Sequence, residues 1–263
     1  MENPFKASQA RCEQVYQNKG ITYEIISLMA EFETDPEFLK SILPPCFSVP
    51  DAPIGRFVIN KARTHDIQVG EKGHLFSDMS ILAFDCKAEG LEGPIEYSPI
   101  AYFDDEQVIY SGREFLGEPK RYGKTELFVL NNRASAVLER FGLPIAEMVV
   151  ELREDEGPQE PVSNFAGHLK CCLTHQQNEM MYDPIAVFSR REQKHLVKRS
   201  GSGVLRLLGG PKDALDEVPV LKILRFEYTE SLTSYTNPVP AMTHPDRHAI
   251  MPYYLGTSQN YGR

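Results

Sequence analysis

The chain has 263 residues, 41% hydrophobic and 25% charged, the balance of an ordinary soluble globular protein. Its formal net charge of −9 argues against a general binder of nucleic acid or anionic membranes, but a local basic site still suits a small anionic substrate. No run approaches the roughly 18 apolar residues that span a bilayer, and the polar N-terminal stretch MENPFKASQARCEQVYQ has no signal-peptide core.

Residues 1–20 read as a loose leader or short helix ended by Gly20. Residues 21–32 are apolar with β-branched side chains and are expected as a strand. Thr34 is expected to cap a short helix, with Glu37 as capping-box partner, Pro36 in the first turn and Pro44-Pro45 as the stop. Strands are then expected over 54–62, 75–86, 95–103 and 107–111. The last two form a hairpin across Asp104-Asp105-Glu106, an acid cluster that fits a turn better than a hard-cation site.

A short strand is expected over 126–130, and Asn131-Asn132 is expected to cap a helix over 133–141 closed by Gly142. Strands follow over 144–153, 165–173, 181–189, 203–208 and 220–231. The charged, proline-bearing segment 154–161 reads as a loop inside one domain, because neither half carries a complete site. Residues 190–200 read as a hairpin loop or frayed edge, and 209–217 as a short helix. From Thr236 a tail is expected to wrap the surface or a neighbouring subunit, completing a single domain over 1–263. About ten strands with two or three short helices give a mainly β (α+β), antiparallel architecture.

Five cysteines (Cys12, Cys46, Cys86, Cys171, Cys172) have no metal-ligand spacing and read as reduced thiols of a cytoplasmic protein. His244 and His248 have the spacing of a helical ligand pair, yet Pro245 intervenes and no third ligand is near, so no metal is expected. His65, His74, His175 and His195 read as surface residues. Neither a phosphate-binding glycine loop nor a serine nucleophile elbow is present.

The stretch suited to chemistry is 110–124, YSGREFLGEPKRYGK. Pro119 fixes its own φ and pushes Glu118 toward an extended conformation. In an extended segment Lys120 and Arg121 point to opposite faces, while Glu118 and Lys120 share one. Both cations are solvated if the segment is a strand end, since lysine and arginine are rarely buried unpaired. If Lys120 instead faces an apolar interior, desolvation and a neighbouring cation disfavour its ammonium and leave an amine that condenses with a carbonyl.

Gly112-Arg113-Glu114, Gly117 and Pro119-Lys120 resemble the signature of the acetoacetate decarboxylase family: GRE, a short spacer, then PK. That family is itself the standard example of a lysine activated by a neighbouring cation. Residues 97–106 (YSPIAYFDDE) resemble its preceding strand and turn. Residues 201–232 (GSGVLRLLGGPKDALDEVPVLKILRFEYTESL) resemble its last strands and the turn between them. The resemblance implies a cone-like closed sheet around a central cavity, with Lys120 as the Schiff-base lysine in it. It also implies a lyase without cofactor, a small keto acid or carbonyl substrate, and a homo-oligomer.

Arg121 stands where the family usually has a second lysine; it keeps the charge and offers a planar fork for a carboxylate. The family's early arginine falls near Ile25 or Ile26, and a family glutamate falls at Val58, so this chain lacks both. Asp78 is the acid found where a second glutamate falls. The candidates are therefore Lys120, Arg121 and Glu118 for catalysis, with Arg113 and Asp78 for substrate binding. Arg113 and Glu114 also suit a turn-holding ion pair. The expected reaction is decarboxylation of a β-keto acid, which needs little acid–base help. The alternatives are aldol or dehydration chemistry, which needs a positioned acid or base such as Glu118, and a non-catalytic small-molecule-binding cavity.

Overall fold

The computed structural model describes residues 21–69, 73–176, 179–243 and 246–257; the expected leader, Cys12 and His244 lie outside them. Period-two alternation builds eleven strands into one sheet. In chain order they are β1 (Ile21–Glu33), β2 (Ile54–Val69), β3 (Gly73–Cys86), β4 (Ile95–Phe103), β5 (Lys120–Tyr122) and β6 (Lys124–Leu130). Then come β7 (Arg133–Arg140), β8 (Leu143–Leu152), β9 (Val162–Lys170), β10 (Ile185–Leu207) and β11 (Lys222–Thr243). The helices among the described residues are α1 (Pro36–Ile42), α2 (Glu106–Leu116) and α3 (Arg247–Thr257), with one 3₁₀ turn at Leu215–Glu217.

The sheet closes on itself. Its order runs β11-β1-β2-β3-β4-β9-β10, and β10 pairs back onto β11, which makes a ring of these seven strands. The mainly β, closed architecture is therefore the one expected. Pairing is antiparallel except where β4 meets β5 and β9. The far end of β10, Gly201 to Leu207, leaves the ring and pairs with β8, which carries β7 and β6 as a second layer. A ring of this size has an interior just wide enough for side chains, so that layer packs on the outside.

Alternation then sorts the two faces. Leu28, Phe57, Phe84 and Tyr102 of the ring pack outward against Leu138, Ile145 and Met148 of the outer layer, and all are almost fully buried. The opposite face carries Ser27, Asn60, Ser77, Ser189, Thr229 and Ser231, small and polar yet buried. They satisfy one another where water is excluded: Ser27 donates to Asn60 Oδ1 at 2.5 Å, and Ser231 and Thr233 hydroxyls lie 3.2 Å apart. Charges on this face are paired too, with Arg56 bridging Glu31 at 2.7 Å and Glu96 at 3.1 Å, and Arg191 meeting Glu96 at 2.5 Å. Side chains this small leave room that larger ones would fill.

Several local expectations are corrected. Residues 107–111 are not a strand but the start of α2; Asp105 caps it, accepting from Val108 N at 2.9 Å. Residues 133–141 are not a helix. Buried Ala134, Ala136 and Leu138 alternate as in a strand, and Asn131 (φ 55) and Phe141-Gly142 (φ 53 and 76) turn two hairpins. Segment 190–200 is continuous strand, because β11 flanks it on one side and β9 on the other as far as Gln193. Beyond Thr236, where a surface tail was expected, β11 runs on to Thr243. The cap of α1 is Asp35, which accepts from Phe38 N at 2.8 Å, not Thr34. The expected helix over 209–217 shrinks to the 3₁₀ turn.

Replacing Phe57, which lies between ring and outer layer, with alanine is expected to lower stability by about 3–5 kcal/mol. The shift of the urea midpoint checks it.

Candidate active site

The ring has a split, and the suspect segment fills it. β9 pairs with β4 only along Ile95–Tyr97. Further along the same edge, β5 takes its place beside Ala101–Phe103. The parallel return from β4 to β5 needs a crossover, which α2 supplies. Gly117 ends α2 in the left-handed region (φ 74) and lies tight on β9, where a Cβ would come within 2.5 Å of Lys170 Cα. Glu118, Pro119 and Lys120 are thereby wedged between β4 and β9.

In this position Lys120 registers with Ala101 and faces the ring interior, while Arg121 registers with Tyr102 and faces out. Lys120 is not solvated: its side chain is 11% exposed. Its Nζ lies 2.6 Å from Glu118 Oε2, 3.5 Å from the Val108 carbonyl and 4.3 Å from the centre of the Phe103 ring. The second oxygen of Glu118, Oε1, lies 3.5 Å from Nε2 of His168, a buried residue of β9. Helix α2 comes this close only because position 112 lacks a side chain. A Cβ on Gly112 would collide with Glu118 Oε2 and lie 2.5 Å from Lys120 Nζ, which gives the glycine of the GRE triplet its reason.

Lys120 and Glu118 are brought together as the shared strand face predicted. The other candidates are elsewhere. Arg113 Nη1 donates to the Lys120 carbonyl at 3.1 Å, so it clamps α2 to β5 through the main chain. Arg121 is turned away from Lys120 and bonded to Asp213 (3.3 Å) and to the carbonyls of Lys212 (3.2 Å), Gly256 (3.1 Å) and Thr257 (2.9 Å). Asp213, fully buried, also accepts from Arg140 at 2.8 Å and from Tyr102 OH at 3.0 Å. Arg121 thus ties the site strand to the end of α3, and Asp213 meets its charge. Asp78 pairs with Lys61 at 3.7 Å, and alternation puts it on the outer face with Ser80 and Leu82. Of the two residues near which the missing arginine falls, Ile25 shares the inner face with Ser27 and Asn60 while Ile26 points outward; Val58, where the missing glutamate falls, is also on the inner face.

His168 escaped the sequence analysis. No motif marks it, and only closure of the ring brings β9 to Glu118. Its surroundings set its charge. Burial pushes the imidazole below its ordinary 6.5 and the Lys120 ammonium adds to that, while the Glu118 carboxylate opposes them. His168 is therefore neutral at neutral pH. For Glu118, burial alone would raise the carboxyl, but Lys120 and His168 outweigh it and hold it below the usual range, hence ionised. His168 Nδ1 is buried without a hydrogen-bond partner among the described residues. Among those residues, no three His, Cys, Asp or Glu side chains are grouped to hold a metal ion, and no helix is long and apolar enough to cross a membrane.

A closed β ring of this kind defines a fold class with solved members. The chain superposes on an acetoacetate decarboxylase from Legionella pneumophila with TM-score 0.68 and 17% identity, covering 84% of this chain and 87% of that one. The enduracididine biosynthesis enzyme MppR, complexed with the condensation product of pyruvate and imidazole 4-carboxaldehyde, gives TM-score 0.68 and 17% identity over 86% and 89% of the two chains. An acetoacetate decarboxylase-like enzyme from Sphingomonas wittichii RW1 gives 0.66 and 12% over 86% and 94%. At such identities these likenesses establish the fold alone. The sequence profile of the acetoacetate decarboxylase (ADC) family matches residues 6–243, and the chain belongs to that family. No curated protein matches it in sequence.

Two outcomes follow. Gly112→Ala overpacks the Lys120–Glu118 contact and is expected to destabilise the fold by about 1–3 kcal/mol in chemical denaturation. The second outcome concerns pH. Since the folded His168 binds its proton less readily than the unfolded residue, stability is full above about 6.5 and falls as pH drops below that value. Glu118, lowered from 4.5, keeps its full contribution above about 4.5 and loses it progressively as pH falls below that value. His195 is lowered by burial as well. Urea midpoints at about pH 7.5 and about pH 5.5 should therefore differ less in His168→Gln than in the unaltered protein, without becoming equal.

Proposed function

We propose that this protein is a Schiff-base-forming lyase acting on a keto acid, with Lys120 as nucleophile and decarboxylation of a β-keto acid as its reaction. The observation that carries this reading is the Lys120 amine, 11% exposed on the inner face of a closed ring with an ionised carboxylate 2.6 Å away. Family membership supports it.

Glu118 takes a proton from the Lys120 ammonium, and the free amine attacks the keto carbon. A C–N bond forms as the carbonyl π pair moves onto oxygen. Protonation of that oxygen lets water leave, so that ammonium and ketone become iminium and water. The C–C bond to the carboxylate then breaks, its electron pair runs into the iminium, and carbon dioxide departs. The resulting enamine is protonated on carbon and hydrolysed, which frees Lys120. The reading calls for no cofactor, because the iminium is itself the electron sink.

The surroundings suit these steps. Phe103, 4.3 Å from Nζ, offers its ring face to a cation at that position. Ala101, Phe103 and Ile109 form an apolar patch beside it. Against such a patch a carboxylate sheds water, a penalty relieved as its charge passes into the iminium.

A second reading, aldol condensation or dehydration, is favoured by the Glu118–His168 pair, which supplies acid–base capacity that decarboxylation hardly needs. The condensation product bound to MppR belongs to that chemistry.

Incubation with a panel of α-keto and β-keto acids under sodium borohydride is expected to fix a substrate-sized mass on the Lys120 peptide. Lys120→Ala should abolish both the adduct and turnover. Release of carbon dioxide marks the first reading, and condensation or loss of water without it marks the second. If no keto acid modifies Lys120, the Schiff-base reading is wrong.

A further inference from the structure

His168 ends a line that begins at the Lys120 amine. Glu118 divides its oxygens between two neighbours, Oε2 at 2.6 Å from Lys120 Nζ and Oε1 at 3.5 Å from His168 Nε2. A carboxylate placed in this way accepts a proton on one oxygen and gives it up from the other without changing place. The longer contact is of the kind that tightens once substrate is bound. All three groups sit on the inner face, His168 with a side chain 7% exposed and a second ring nitrogen lacking a hydrogen-bond partner among the described residues.

We propose that His168 is the proton reservoir of the site: it receives, through Glu118, the proton that Lys120 sheds, and returns it to the bound substrate. The proposal rests on the Schiff-base reading above and adds a residue and a route to it. Before the step the trio carries an ammonium, a carboxylate and a neutral imidazole; after it, an amine, a carboxylate and an imidazolium. Both arrangements have zero net charge, so a buried site passes between them without acquiring an uncompensated ion. Loss of the lysine charge also lowers the cost of placing the proton on His168. The Lys120 ammonium is one of the two causes that keep His168 neutral, and that cause disappears when the amine forms.

The proton balance is closed. Lys120 gives one proton to His168 by way of Glu118, and the amine adds to the carbonyl carbon. The proton left on nitrogen passes to the oxygen, making a hydroxyl. His168 then returns its proton to that hydroxyl, the C–O bond breaks with its electron pair, and water leaves. The imidazole, neutral again beside an iminium, next takes a proton from the adjacent carbon, giving the enamine, and can hand it back. Carbon-bound hydrogens of a ketone substrate therefore exchange with solvent at a rate set by His168.

Pyruvate in heavy water is the probe, with loss of its methyl signal by NMR as one readout and borohydride trapping on Lys120 as the other. The unaltered protein is expected to show both. His168→Gln keeps a hydrogen-bonding group toward Glu118 but cannot carry the proton; it should still be trapped on Lys120 while exchange falls by about 100-fold. In His168→Ala, added imidazole should raise exchange by about tenfold or more, which a purely structural role would not allow. Trapping together with exchange by His168→Gln within about threefold of the unaltered protein overturns the reservoir and leaves the Schiff-base reading standing. Absence of trapping in the unaltered protein overturns both.

Discussion

The contact on which the site depends is the ion pair between Lys120 and Glu118 inside a β ring. A lysine in a sheet interior is unstable without a partner, because removing its charge from water is unfavourable unless an opposite charge meets it. The chain provides the partner two residues earlier, on the same strand face, and then arranges the neighbourhood to admit both. Gly112 removes a side chain that would collide with them, Gly117 lets the helix end against β9, and Arg113 fixes the helix to the Lys120 carbonyl. The GRE–G–PK pattern is therefore the sequence of one mechanical unit: a crossover helix whose return is set into a gap in the ring wall.

The two adjacent cations have separate occupations because a strand sends them apart. Lys120 serves the interior, while Arg121 secures the exterior by joining β5 to Asp213 and to the carbonyls that end α3. Lysine could not bond both carbonyls and the carboxylate with one fixed fork, which gives arginine at this position a structural rationale. The same inside–outside division runs round the ring. Outward residues are large and apolar and hold the second layer; inward residues are small, hydroxylated or paired.

Much of this was legible in the residues. Apolar and β-branched runs located β1 to β4, and Pro119 with period-two geometry put Glu118 beside Lys120 and turned Arg121 away. Where local signals were shared by two structures, the wrong one was chosen. Asp105 suits a turn and a helix cap equally, and Gly142 closes a hairpin as readily as a helix; tertiary pairing decided both. His168 and Asp213 were illegible as partners, because each reaches its place only when strands distant in sequence are joined by ring closure. The outward face of Asp78 was illegible too, because its register is fixed by pairing with β2 and not by its own neighbours.

The central claim is that the amine at position 120 bonds covalently to a keto carbon within this ring. A crystal structure of the protein reduced with borohydride in the presence of its keto acid tests it most directly. Continuous density from Lys120 Nζ to the former keto carbon is predicted, over the Phe103 ring, with the Glu118 carboxylate alongside. An unmodified Lys120 with the substrate carbon attached to another lysine, or lying unbonded elsewhere, would contradict it.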